Sequence, residues 1–96
     1  MLYVVVYDLP ATKAGNRRRR HLARFLDGHG NRCQYSVFEI RVQSQDELQH
    51  ICKRVEALIE PGQDAVRIYP LRADAEQGVL IFGEGQVFRV PDAVFL

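Results

Sequence analysis

Apolar runs and helix-like spacings alternate along this chain. The first run, Leu2 to Tyr7, is continuous in β-branched, aromatic and aliphatic residues and stops before Pro10. This pattern predicts a central strand buried on both faces. After Pro10 the spacing becomes that of a helix, whose apolar face carries Leu22, Phe25 and Leu26. Gly28 and Gly30 are expected to end this helix.

A second strand region and a second helix follow. Cys33 to Val42 is rich in β-forming residues and predicts either one strand or two strands that meet near Ser36. Ser44 and Glu47 have the spacing of a capping box, which opens a helix. The apolar stripe of that helix comprises Leu48, Ile51, Cys52, Val55, Leu58 and Ile59. Pro61 is expected to stop it.

The last third of the chain predicts strands. Ala65 to Leu71 is extended, and Val79 to Phe82 with Gln86 to Val90 resembles a hairpin around Gly83, Glu84 and Gly85. The predicted order is βαββαβ followed by an added strand or hairpin. A sheet of four strands with both helices on one face, a ferredoxin-like α+β sandwich, accommodates this order.

Length and composition indicate one globular domain. The 96 residues, 47% hydrophobic and 26% charged, predict a single domain over residues 1–96, with a core of about 1–82 and a C-terminal hairpin and tail over 79–96. Without an apolar run of roughly 20 residues or a basic leader, a cytoplasmic protein without membrane contact is expected. Cys33 and Cys52 have no metal-ligand spacing and are interpreted as small core thiols. The apolar tail over 93–96 favours a partner surface, such as a second subunit.

The charge is unevenly distributed, although the net charge is only +1. The stretch from Asp8 to Arg32 contains seven basic and two acidic residues, whereas the rest contains six basic and ten acidic ones. The densest cluster consists of Arg17, Arg18, Arg19 and Arg20. Such a cluster is either a solvated helix face or a phosphate-binding surface. Cations near a helix N-terminus oppose the helix dipole, which favours an anionic partner such as nucleic acid.

Asp8 is the candidate for metal chemistry because it directly follows the first strand. It is either a turn residue before Pro10 or a carboxylate ligand for a divalent cation. Mg²⁺ commonly uses one or two carboxylates with waters and substrate phosphates, so two copies of Asp8 facing each other in a dimer would provide a pair.

Three fragments of the sequence, in this order, resemble the CRISPR-associated protein 2 family. They are Tyr7 to Pro10, Gln34 to Glu39 and Asp64 to Leu71. The resemblance extends from the first strand to about Leu71 and more loosely to the final hairpin.

The resemblance implies a ferredoxin-like homodimer whose strand-end aspartates hold Mg²⁺ or Mn²⁺ between the subunits. It also implies a metal-dependent endonuclease on RNA or double-stranded DNA and a partnership with the CRISPR integrase in spacer acquisition. Carried over by position, Asp8 matches the metal-binding aspartate of the family and is the expected catalytic residue. Ser36 and Phe38 match the serine and phenylalanine of its second-strand motif, and with Tyr7 they are expected to support the site. Arg17 to Arg20 are expected to bind nucleic acid because of their clustered charge.

Three alternatives to the nuclease stay open at the level of sequence. A non-catalytic DNA-binding dimer that acts as a scaffold for the integrase needs the same basic surface and keeps Asp8. A related toxin ribonuclease has the same fold. A small-molecule regulatory domain is a further possibility on this fold, but it leaves the arginine cluster unexplained.

Overall fold

The computed structural model describes residues 1–72, Leu80, Phe82 and Gly83. The elements are β1 (Leu2–Asp8), α1 (Lys13–Asp27), β2 (Gly30–Gln34), β3 (Val37–Arg41), α2 (Gln45–Leu58) and β4 (Ala65–Leu71). The predicted βαββαβ order is confirmed, and the extended region before α2 is two strands joined by a turn at Tyr35 and Ser36. Apart from three single residues, the predicted hairpin and tail over 79–96 lie outside the described residues.

The four strands form one antiparallel sheet in the order β2-β3-β1-β4. β1 is central, with Val5 in register with Phe38 of β3 on one side and Ile68 of β4 on the other. β4 contains Pro70, opposite Tyr3. Because β4 has a neighbour on only one side among the described strands, a residue without an N–H is tolerated there.

The core lies between one face of the sheet and the two helices. It contains Tyr3, Val5, Tyr7, Leu22, Leu26, Phe38, Ile40, Val42, Ile51 and Val55 among its buried residues. The opposite face, called the open face below, carries the alternate residues of the strands. On that face Val4 is half-buried and Val6 is 36% exposed, so the prediction that β1 is buried on both faces is wrong for the single chain. Both helices lie on the same side, so within residues 1–72 no layer covers the other side of β1.

α1 begins very close to the end of β1. The Thr12 side chain caps the helix by accepting a hydrogen bond from the Gly15 N–H at 3.0 Å. A Cβ atom on Gly15 would lie 2.0 Å from the carbonyl oxygen of Pro10. Glycine at this position therefore allows the first turn of α1 to pack directly against the chain that leaves β1.

α2 begins at the predicted cap, with the Ser44 hydroxyl accepting from the Glu47 N–H at 3.1 Å. The Glu47 carboxylate accepts in return from the N–H of Gln43, one residue before the cap, at 2.7 Å. Ile51 is buried in the core, but Cys52 is exposed, so its assignment to the core is wrong. Cys52 directly follows Ile51, and the helical turn of about 100° per residue carries it off the buried stripe. No helix in the described part of the chain is long and apolar enough to cross a membrane.

Candidate functional site

Asp8 is the last residue of β1 and lies at one end of the open face. It is in register with Ala65 of β4, and both residues are exposed. Within the described residues, the Asp8 carboxylate has no hydrogen bond or ion pair and is free to ligate. The same residues contain no group of three His, Cys, Asp or Glu side chains that could hold a metal ion. Asp8 is therefore a free carboxylate at this end of the sheet, without a second and third described ligand from the same chain.

Arg19 contacts the backbone directly after Asp8. Its Nη2 donates to the carbonyl oxygen of Leu9 at 2.6 Å and to that of Pro10 at 3.4 Å. Its Nη1 donates to the side-chain oxygen of Asn16. All three acceptors are neutral, so these hydrogen bonds fix the guanidinium without cancelling its charge. A positioned cation thus lies beside the segment that follows Asp8.

Arg18, the neighbouring residue, is engaged in a salt bridge. Its Nε and Nη2 donate to the two carboxylate oxygens of Asp64, at 2.6 and 2.9 Å. The Asp64 side chain is inaccessible to solvent and also accepts from the Glu60 N–H at 2.8 Å. The hydrogen bond from Arg18 holds the pKa of Asp64 below its ordinary value of 3.8. Arg18 therefore ties α1 to the connection before β4, and its charge is compensated.

The other two members of the predicted arginine cluster are exposed on α1. Arg17 and Arg20 form no salt bridge with any described carboxylate. Arg20 helps to line a cleft of about 530 Å³, called the Tyr35 cleft below. Its lining consists of Asn16, Arg19, Arg20, Ala23, Arg24, Arg32 and Tyr35. The structure thus separates the four consecutive arginines into one structural residue and three with available charge.

The predicted supporting residues connect the end of β1 to the β2–β3 turn. Tyr7 and Phe38 are buried, with ring centroids 6.2 Å apart. The backbone N–H of Tyr7 donates to the Ser36 carbonyl at 3.1 Å, and the Tyr7 hydroxyl donates to the Tyr35 carbonyl at 3.4 Å. Tyr7 and Phe38 are core residues that hold the turn in place beside Asp8, and Ser36 contributes through its backbone.

Two residues of the basic surface, Arg32 and Tyr35, are absent from the sites predicted from sequence. Arg32 lies in β2 in register with Phe38, and its guanidinium carbon is 5.2 Å from the Phe38 ring centroid. The signal available in the sequence was a cation and an aromatic residue close together at the start of the Gln34 to Glu39 fragment. Arg32 and Tyr35 come close to α1 only because β2 packs beside that helix. The spacing of residues in the sequence does not reveal this packing.

The fold and this end of the sheet define the class: a ferredoxin-like α+β protein with a strand-end carboxylate beside a basic helix. The family model described as CRISPR associated protein Cas2 matches residues 1–79. A Synechocystis sp. protein named CRISPR-associated endoribonuclease Cas2 1 is 42% identical over 86 residues, which is 90% of each chain. The chain belongs to the Cas2 family, as its resemblance to that family predicted.

Solved structures agree with this assignment. The crystal structure of Streptococcus pyogenes Cas2 at pH 6.5 superposes with a TM-score of 0.79 at 34% identity, covering 86% of this chain and 100% of that chain. A hypothetical protein from Thermus thermophilus superposes with a TM-score of 0.74 at 38% identity, covering 90% of this chain and 94% of the other. The ferredoxin-like fold is therefore shared with relatives over most of the chain.

Proposed function

We propose that this protein is a metal-dependent endonuclease that hydrolyses phosphodiester bonds of RNA or DNA at the Asp8 end of its sheet. One observation carries the proposal: a free carboxylate at the end of β1 is followed at once by backbone that holds the Arg19 guanidinium. A carboxylate for a cation next to a fixed guanidinium for a phosphate is the arrangement that phosphodiester chemistry needs. The Synechocystis relative, named an endoribonuclease, is consistent with this activity.

The donor set at this end fits Mg²⁺ or Mn²⁺ when two chains contribute. Mg²⁺ keeps several waters and commonly takes one or two carboxylates, and Asp8 is exposed and without a competing partner among the described residues. Asp8 from each of two subunits would hold the cation. When bound, the cation lowers the pKa of water and offsets negative charge on the phosphate.

The arginines of α1 have a separate part in the proposal. Arg19 is held by neutral carbonyl groups, so it can orient a phosphate next to Asp8 without moving. Arg17 and Arg20 are exposed and add attraction for the polyanion along α1. Arg18 is excluded from this group because two of its guanidinium nitrogens already donate to Asp64, whose carboxylate compensates its charge.

The open face of the sheet supports a homodimer. Val4, Val6 and Val37 form a central apolar strip there, and Tyr69, in register with Val4, is 45% exposed. Two such faces packed about a two-fold axis would cover this apolar surface. Because Asp8 lies at the end of the same face, the same packing would bring two carboxylates to one edge.

Beyond hydrolysis, we propose that this dimer takes part in CRISPR adaptation in the cytoplasm together with the integrase. Membership of the family described as CRISPR associated protein Cas2 supports that role. A non-catalytic scaffold for DNA is the second candidate. It is favoured by the lack, within the described residues, of any three-ligand metal cluster in one chain.

Cleavage assays distinguish the nuclease from the scaffold. Labelled RNA and duplex DNA are incubated with wild type and Asp8→Asn in Mg²⁺ or Mn²⁺, with EDTA as the metal-free control. We expect cleavage only by wild type with metal, and retained nucleic-acid binding by Asp8→Asn because the arginines are unchanged. Equal cleavage by both proteins would contradict the role of Asp8. Binding without cleavage by either protein would favour the scaffold.

A further inference from the structure

The Tyr35 cleft combines an exposed aromatic ring with several guanidinium groups. The guanidinium carbons of Arg19 and Arg32 lie 6.0 and 5.6 Å from the centroid of the Tyr35 ring. Tyr35 nevertheless remains 69% exposed. The backbone of Tyr35 is held at its carbonyl, which accepts a hydrogen bond from the buried Tyr7. The ring is therefore presented at a defined place in the turn and is open to a ligand.

The cations of the cleft are not neutralised by the protein. None of the residues that line it is a carboxylate, and Arg19, Arg20, Arg24 and Arg32 form no salt bridge with a described residue. Arg19 is held by backbone carbonyl groups, and Arg32 lies over Phe38. Two of the four guanidinium groups are thus positioned before any ligand arrives, while Arg20 and Arg24 are exposed on α1.

We propose that the Tyr35 cleft binds one unpaired nucleotide of a single-stranded nucleic acid, with its base stacked on Tyr35 and its phosphates beside the arginines. Every base has a π-face that can stack on an aromatic side chain. In a duplex those faces are covered by neighbouring bases, so a duplex could offer this cleft only phosphate groups. The inference deepens the proposed function, on which it rests, by assigning the Tyr35 ring as the surface on which one base of the bound strand stacks.

A fluorescent base tests this stacking directly. The probes are an oligoribonucleotide and an oligodeoxyribonucleotide, each with one 2-aminopurine, whose emission falls when the base stacks. Tyr35→Phe keeps the ring, and Tyr35→Leu removes it at an exposed position without touching the core. Lys53→Ala is a matched control because it removes an exposed cation that does not line the cleft.

We expect quenching with wild type, Tyr35→Phe and Lys53→Ala, and no quenching with Tyr35→Leu. Affinity of Tyr35→Leu for both single strands should fall on the order of tenfold, with affinity for a duplex unchanged. Three results would overturn the proposal: no quenching with wild type, an equal loss for single strand and duplex, or a loss confined to one of the two sugars, since the base is the same in both.

The quenching measurement tests base stacking separately from hydrolysis. Asp8→Asn should keep full quenching, because Asp8 does not line the cleft. If wild type never cleaves and Asp8→Asn still quenches the probe, the nuclease proposal is wrong and the stacking proposal is supported. If wild type cleaves and Tyr35→Leu binds single strands as wild type does, the stacking proposal is wrong and the nuclease proposal is supported.

Discussion

Arg18 and Arg19 are adjacent in sequence, yet their guanidinium groups have different surroundings. Arg18 meets a carboxylate, whereas Arg19 meets neutral carbonyl oxygens. In an ion pair with a solvent-inaccessible carboxylate, each partner compensates the charge of the other, so loss of one partner is costly and no charge is left for a ligand. Hydrogen bonds to carbonyl groups position a cation and keep its charge available. At the scale of the residue, the group that accepts the hydrogen bonds of an arginine decides whether its charge is available to a ligand.

The Arg18–Asp64 pair predicts a stability change that depends on pH. Asp64→Asn removes the charge that faces Arg18, and we expect a loss in Tm of roughly 5 to 10 °C at pH 7, as is typical for a change of one to two kcal/mol in a small domain. Because the folded-state pKa of Asp64 lies below 3.8, this stabilisation is complete above that pH and is lost as the pH falls through the folded-state pKa.

Thermal melts of wild type and Asp64→Asn from pH 7 down to the acid range check this prediction. Glu56→Gln, an exposed carboxylate on α2, is the control for the equal change in net charge. The gap in Tm between wild type and Asp64→Asn should shrink on the acid side of pH 3.8. A gap that is absent at pH 7, or that stays constant into acid, would show that the ion pair does not stabilise the fold.

The sequence predicted the basic cluster but could not divide it. Arg17 to Arg20 are consecutive, and nothing local distinguishes Arg18 from its neighbours. Its partner Asp64 is 46 residues away and meets it only when α1 packs beside the connection before β4. Asp8, in contrast, was predictable because the end of the apolar strand fixes its place.

At the scale of the element, the capping box at Ser44 predicted where α2 begins, whereas for α1 the sequence predicted a helix after Pro10 but not its cap at Thr12. Thr12 and Ser44 each cap a helix by accepting an N–H from the residue three positions later. Periodicity predicted the buried side of α2 through Ile51 and Val55 but over-extended it to Cys52. Leu48, Leu58 and Ile59 pack against the core as partly buried residues, whereas Cys52, which lies about 100° around the helix from Ile51, is exposed.

Removing the cap of α2 should lower the free energy of unfolding of the protein. Ser44→Ala deletes the acceptor for the Glu47 N–H, and we expect a loss of about 1 kcal/mol in the free energy of unfolding. Ser44→Asp, which keeps an acceptor at the cap, should be close to wild type. Urea denaturation measures both. If the midpoint of Ser44→Ala equalled that of wild type, the cap would not contribute to stability.

At the scale of the whole molecule, the open face of the sheet has no covering layer among the described residues. The helices cover only one side of the sheet, although β1 is apolar on both sides. The alternation of side chains along β1 indicates which residues share a face, but which face the helices cover is decided by the connections. The proposed homodimer would cover the remaining apolar face.

A charge on the open face should separate the two subunits. Val6→Asp places a carboxylate in the apolar strip, and in a symmetric dimer it places two. We expect sedimentation equilibrium at micromolar concentration to give a dimer for wild type and a monomer for Val6→Asp. Ala57→Asp, at an exposed position on α2, should stay dimeric. A monomeric wild type, or a dimeric Val6→Asp with intact circular dichroism, would contradict this interface.

Subunit mixing tests the central claim, that Asp8 from two subunits together supports cleavage. Wild type and Asp8→Asn are unfolded together in equal amounts, refolded, and assayed on labelled RNA with Mg²⁺. If both carboxylates are needed, only wild-type pairs are active, and random pairing gives about a quarter of the activity of wild type at the same total concentration. If each chain acts with its own Asp8, about half of that activity remains. We expect about a quarter of the activity, and about half would contradict a site that two subunits share.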